Sequence, residues 1–69
     1  MKYIVYELDD DFNIINKFMF GSAIVSFEYI NKHLKDEPNA NLLELQLNEN
    51  RDIRLVKTYR QGKHIKTLA

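Results

Sequence analysis

Only one stretch of this chain carries a helical repeat, and it is bracketed on both sides by residues that stop helices. Gly21-Ser22 precedes it and Pro38 follows it. Between them Ala23, Phe27, Ile30 and Leu34 recur at i, i+4, i+7 and i+11, a narrow apolar stripe. Ser22 is placed to cap the first turn, since a serine hydroxyl accepts from an otherwise unpaired first-turn N–H. Glu28 and Lys32 lie one turn apart on the far side and pair weakly. Pro38 has no N–H to donate and disfavours helical geometry at Glu37. The spacing predicts one helix, from about Ala23 to Lys35.

The remaining segments are short and β-patterned. Lys2 to Leu8 is β-branched and aromatic, as strands prefer. Asp9-Asp10-Asp11 interrupts it, and Asn13 to Phe20 returns, giving a hairpin. Leu42 to Leu47 alternates with a period of two, which argues strand, although Leu, Glu and Gln leave a helix open. Asn48 to Asp52 turns the chain into a strand over Ile53 to Arg60. Gln61-Gly62 forms a two-residue turn into a last strand over Lys63 to Leu68, with Gly62 supplying the positive φ such turns need. The expected fold is α+β: a mostly antiparallel sheet of about five strands in the order β-β-α-β-β-β, with one helix packed on one face. Residues 1–69 have room for a single α+β domain.

Size makes packing critical. A 69-residue chain buries only about 60% of the surface its unfolded form exposes, and a core of that size supplies roughly 3–5 kcal/mol. With no cysteine, neither disulfides nor thiolate metal sites are available. Good packing or association must make up the difference.

One helix covers one pleat. The helix-facing set expected from the alternation is Ile4, Tyr6, Leu8, Ile14, Phe18, Phe20, Leu43, Leu45, Leu47, Leu55 and Tyr59. The opposite pleat then carries Tyr3, Val5, Ile15, Met19, Val56 and Ile65, too apolar for a solvated face. Either the sheet curls to bury both sides, or these six residues form a surface for a protein partner or a second copy of the chain.

Charge is unevenly spread. The net charge is zero, but residues 1–50 sum to −5 and residues 51–69 to +5. The Gln61-Gly62 turn is expected to set Arg60 opposite Lys63, Tyr59 opposite His64 and Lys57 opposite Lys66. Like charges across strands destabilise a sheet. Arg54, Lys57, Tyr59, Arg60, Lys63, His64 and Lys66 are therefore the candidate site for a polyanion or an acidic partner, nucleic acid included. Two plainer accounts compete: an edge ribbon whose lysines block aggregation, and neutralisation by the acidic N-terminal hairpin.

Motifs for catalysis and for metal are missing. Asp9-x-Asp11-x-Asn13 starts like a calcium loop, but Ile14 holds the place of the required glycine and Phe20 that of the required glutamate. His33 and His64 are the only histidines and show no zinc spacing; carboxylates would have to be gathered from afar. Neither Ser22 nor Ser26 sits in a nucleophile elbow, and two glycines make no phosphate loop. The expectation is no enzyme, no cofactor, no metal and no small-molecule substrate. Nothing resembles a membrane span or a signal core, so a cytoplasmic location is the default. Richness in Ile, Lys and Asn fits AT-rich coding, as in a low-GC bacterium or its phages and mobile elements. The function expected is a small non-catalytic regulatory module, an accessory or inhibitor acting by protein association; the alternative is nucleic-acid binding through the basic hairpin.

Overall fold

The computed structural model describes residues 1–68, without the side chains of Lys66 and Leu68. Five strands and one helix follow in the expected order: β1 (Lys2–Leu8), β2 (Ile14–Phe20), α1 (Ala23–Asp36), β3 (Asn41–Leu47), β4 (Ile53–Arg60) and β5 (Lys63–Leu68). They form one antiparallel sheet in the spatial order β2-β1-β3-β4-β5. The α+β class with one helix on one face is what the sequence patterns imply.

Two hairpin turns are built alike. In the first, Asp9 Oδ1 accepts from the Asp11 and Asn13 backbone N–H groups, each at 2.9 Å. In the second, Asn48 Oδ1 accepts from Asn50 and Asp52, again at 2.9 Å. Each turn places one residue in the left-handed region, Phe12 at φ 64° and Arg51 at φ 65°. An Asx side chain that satisfies its own turn explains the position of Asp9. These bonds hold its carboxyl below the usual aspartate range, the Asn13 N–H contributing most.

The third turn packs closely. Gln61 and Gly62 have φ of 50° and 79°, the pattern of a type I′ turn. The Gly62 N–H donates to the Ala40 carbonyl at 2.9 Å. A Cβ on Gly62 would sit 1.7 Å from the Pro38 carbonyl oxygen.

The helix ends as expected, with the Glu37 N–H donating to the His33 carbonyl at 2.8 Å before Pro38. Its start differs: Ser22 has extended geometry, but its side chain caps nothing. The buried stripe is also rotated from the one expected. Ser26 and Ile30 point inward with Tyr29, His33 and Leu34 alongside, whereas Ala23 and Phe27 face out.

Register assigns the faces. Side chains directly paired across strands share a pleat. Tyr3, Val5 and Glu7 align with Phe20, Phe18 and Asn16 on one side, and with Gln46, Glu44 and Leu42 on the other. Those continue to Leu55, Lys57 and Tyr59. This is the pleat beneath the helix: Tyr29 packs on Phe18 and Phe20 with ring centroids 4.8 and 5.2 Å apart, and the Ser26 hydroxyl donates to Glu44. Val5, Ile30, Ala40 and Leu42 form the core.

The faces of β1 and β3 are therefore the reverse of those expected. Ile4, Tyr6, Leu43 and Leu45 lie on the pleat away from the helix, in register with Met19 and Val56. Bulges at Glu7/Leu8, Gln46/Leu47 and Thr58/Tyr59 shift the register near the strand ends.

Candidate functional surfaces

Three surfaces merit description. The first is the open pleat. Alternation in β1, β3 and β4 places Ile4, Tyr6, Leu43, Leu45 and Val56 across the middle of the sheet. Met19 lies beyond them, 54% exposed. The central side chains shelter one another and are half-buried or better. No element crosses above them among the described residues, because α1 packs on the opposite side over β1 and β2. Of the six interface residues expected from sequence, Met19 and Val56 are on this pleat. Tyr3 and Val5 are not: both are buried on the helix side, Val5 completely. Ile15 and Ile65 are exposed at the first and last of the three bulges, where the ladder skips them.

The second surface is the end of the sheet where β4 turns into β5. Arg60 aligns with Lys63 and Tyr59 with His64, whose rings lie 5.3 Å apart. The bulge then breaks the expected pattern: Lys57 aligns with Thr67 and not with Lys66, which aligns with Thr58. Lys57 reaches the other way, to within 3.9 Å of Glu44. Lys63 is exposed, as is Arg60, whose guanidinium lies 4.7 Å above the Phe12 ring; Arg54 is exposed too but lies at the opposite end of β4, apart from them. The Lys66 side chain falls outside the described residues. The acidic turn reaches this same end of the sheet. Asn41 ties the two together: its Nδ2 donates to Asp10 Oδ1 at 3.1 Å and to the Asp9 carbonyl at 3.3 Å, and its Oδ1 accepts from the Gln61 N–H at 3.0 Å. The acidic and basic segments thus lie beside each other without a direct ion pair among the described residues. Tyr59 has its hydroxyl pKa pushed above the usual tyrosine value, by burial first and by Glu44 second.

The third surface lies between α1 and the sheet. A groove of about 430 Å³ runs along Ile24 and Phe27 on the helix and Gln46 and Tyr59 on the sheet. Behind it, at the other end of the helix, β1 delivers Glu7 against His33. His33 Nε2 lies 3.3 Å from Glu7 Oε2 and 3.4 Å from Glu37 Oε2. Burial raises the Tyr29 hydroxyl pKa here, helped by Glu7 and Glu37. Sequence reasoning missed this group. His33 and Glu37 at i and i+4 were visible as neighbours on a helix, but Glu7 joins them only through the crossover of α1 above β1.

No protein-family model, curated protein or solved structure matches the chain. No helix among the described residues is long and apolar enough to cross a membrane.

Proposed function

We propose that the protein is a non-catalytic association module whose open sheet face closes on a second copy of the chain. One observation carries this reading. The helix packs over β1 and β2 on a pleat that mixes Tyr3, Val5, Phe18, Phe20 and Leu42 with the polar Glu7, Asn16, Glu44, Gln46 and Lys57. No element among the described residues lies over the opposite pleat, where Ile4, Tyr6, Leu43, Leu45 and Val56 cluster, half-buried or better, beside Lys17 and Thr58. A monomer gains most by covering its most apolar surface, so the uncovered pleat calls for a lid from outside.

Dimensions support a copy of itself as that lid. The molecule measures 32 × 22 × 20 Å, so one face offers at most about 700 Å², close to the roughly 800 Å² per partner of a standard interface. β3 is the middle strand of five, and a two-fold axis near it would superpose the apolar centres of two identical sheets, as sheets stack face to face. A regulatory role by occlusion, in the cytoplasm, belongs to the same proposal.

Light scattering on the purified chain tests it. The expected result is a dimer that becomes monomeric, still folded, on Leu45→Lys. A wild-type monomer at millimolar concentration overturns the reading.

A second reading, nucleic-acid binding by the β4–β5 hairpin, is favoured by the unrelieved Arg60–Lys63 pair. Lys57 is already engaged by Glu44 and the acidic turn is adjacent, which leaves fewer free cations than the sequence promised. Retention of labelled DNA or RNA at low salt, lost on Arg60→Gln with Lys63→Gln, would support it over self-association.

A further inference from the structure

We propose that Glu7, His33 and Glu37 form a binding site for a borderline first-row dication of the zinc type. One oxygen of each carboxylate and one nitrogen of the imidazole lie within 4.8 Å of one another. The two distances from His33 Nε2, 3.3 and 3.4 Å, are informative. Zn–N and Zn–O bonds of about 2.0–2.2 Å in tetrahedral arrangement set neighbouring ligand atoms about 3.3–3.5 Å apart. The nitrogen therefore already stands at the edge length of such a site from each oxygen, and the two oxygens lie within 4.8 Å of each other.

A second observation concerns the imidazole alone. His33 Nε2 is buried and stands at ion-pair distance from two carboxylate oxygens, yet makes a well-formed hydrogen bond to neither. A buried polar atom is seldom left so. A cation between the three groups would take the Nε2 lone pair and both negative charges together.

The surroundings suit this chemistry. Asn16 Nδ2 donates to Glu7 Oε1 at 2.7 Å, which fixes the carboxylate and leaves Oε2 for the ion. The Tyr29 hydroxyl lies 3.5 Å from His33 Nδ1, where it can accept from the Nδ1–H and hold the tautomer that presents Nε2. Glu37 is the exposed member, its side chain 62% accessible, so an ion enters from that side and keeps a position for water. An imidazole in the set favours Zn²⁺ over Mg²⁺ or Ca²⁺.

The test is titration of the full chain, freed of metal by chelation, with ZnCl₂ alone. The expected result is one equivalent bound per chain and a Tm raised by at least about 4 °C at saturation. X-ray absorption should show one nitrogen among oxygen ligands at about 2.0–2.1 Å. Glu37→Gln, at an exposed position that does not threaten folding, should abolish the Tm shift. Asn16→Ala should weaken binding about 10- to 100-fold. The proposal is overturned by no Zn²⁺ binding, by binding that survives Glu37→Gln, by Mg²⁺ binding as tightly, or by binding that instead disappears on Asp9→Asn with Asp10→Asn.

Discussion

Glu44 is a carboxylate almost wholly removed from water, near the middle of the sheet and under the helix. Such a group costs several kcal/mol to bury unless its oxygens are satisfied. Ser26 donates to one oxygen; Lys57 and Gln46 approach the other at 3.9 and 3.4 Å. The serine is fully buried, so no water can take its place without a cavity. Ser26→Ala should therefore cost about 1–3 kcal/mol, the penalty for leaving a buried acceptor unpaired, read as a lower urea midpoint. A change below a few tenths of a kcal/mol would mean that Glu44 finds solvent. Tyr59 lies on the same pleat and feels the same carboxylate. Its folded pKa is raised, so the fold favours the neutral phenol. That contribution is complete below the unfolded value of about 10 and is lost as pH rises through the folded value. Urea midpoints should fall as pH rises above about 10, and Tyr59→Phe should flatten part of that fall. An unchanged slope in the variant would remove Tyr59 as the cause.

Among the elements, the β4–β5 hairpin is held by its tip. Gly62 is in the left-handed region and lies against Pro38, so Gly62→Ala combines backbone strain with a collision into main chain. The loss should exceed about 1 kcal/mol and should be visible first as faster amide exchange in β5, because the tip anchors that edge strand to the loop after the helix. Uniform exchange across all five strands would mean that the hairpin does not open on its own. Turns of this kind were legible in the sequence. Asp9, Asn48, Gly62 and Pro38 each act within a few residues, and the strand boundaries follow from them. The faces were not legible, for two reasons. Apolar residues occupy both pleats of β1 and β3, so alternation identifies two faces without saying which one meets the helix. The inward stripe of the helix also contains Ser26 and His33, and these match Glu44 and Glu7 below. Apolar stripe was assigned to apolar pleat, whereas the molecule joins polar to polar there. The same non-local pairing hid the Glu7–His33–Glu37 group, and the Thr58/Tyr59 bulge dissolved the expected Lys57–Lys66 pair.

At the scale of the whole molecule, the surface left over matters more than the surface buried. The core cluster under the helix is four residues, Val5, Ile30, Ala40 and Leu42, flanked by aromatic rings. No disulfide reinforces it, and Phe27 on the helix is 58% exposed. A core this small supports only a few kcal/mol. Pairing of two sheets through Ile4, Leu43, Leu45 and Val56 would add an apolar layer of comparable size and bind only the folded form, so stability becomes coupled to concentration. The melting temperature should rise by several degrees between about 5 μM and 500 μM protein, since each 1 kcal/mol gained moves Tm by about 4–8 °C in a domain of this length. Leu45→Lys should abolish that dependence and melt near the dilute wild-type value, because its side chain then meets water on a face that no longer closes. A Tm independent of concentration for the wild type would mean that the half-sheltered pleat is stable as it stands, with neighbouring side chains as its only cover.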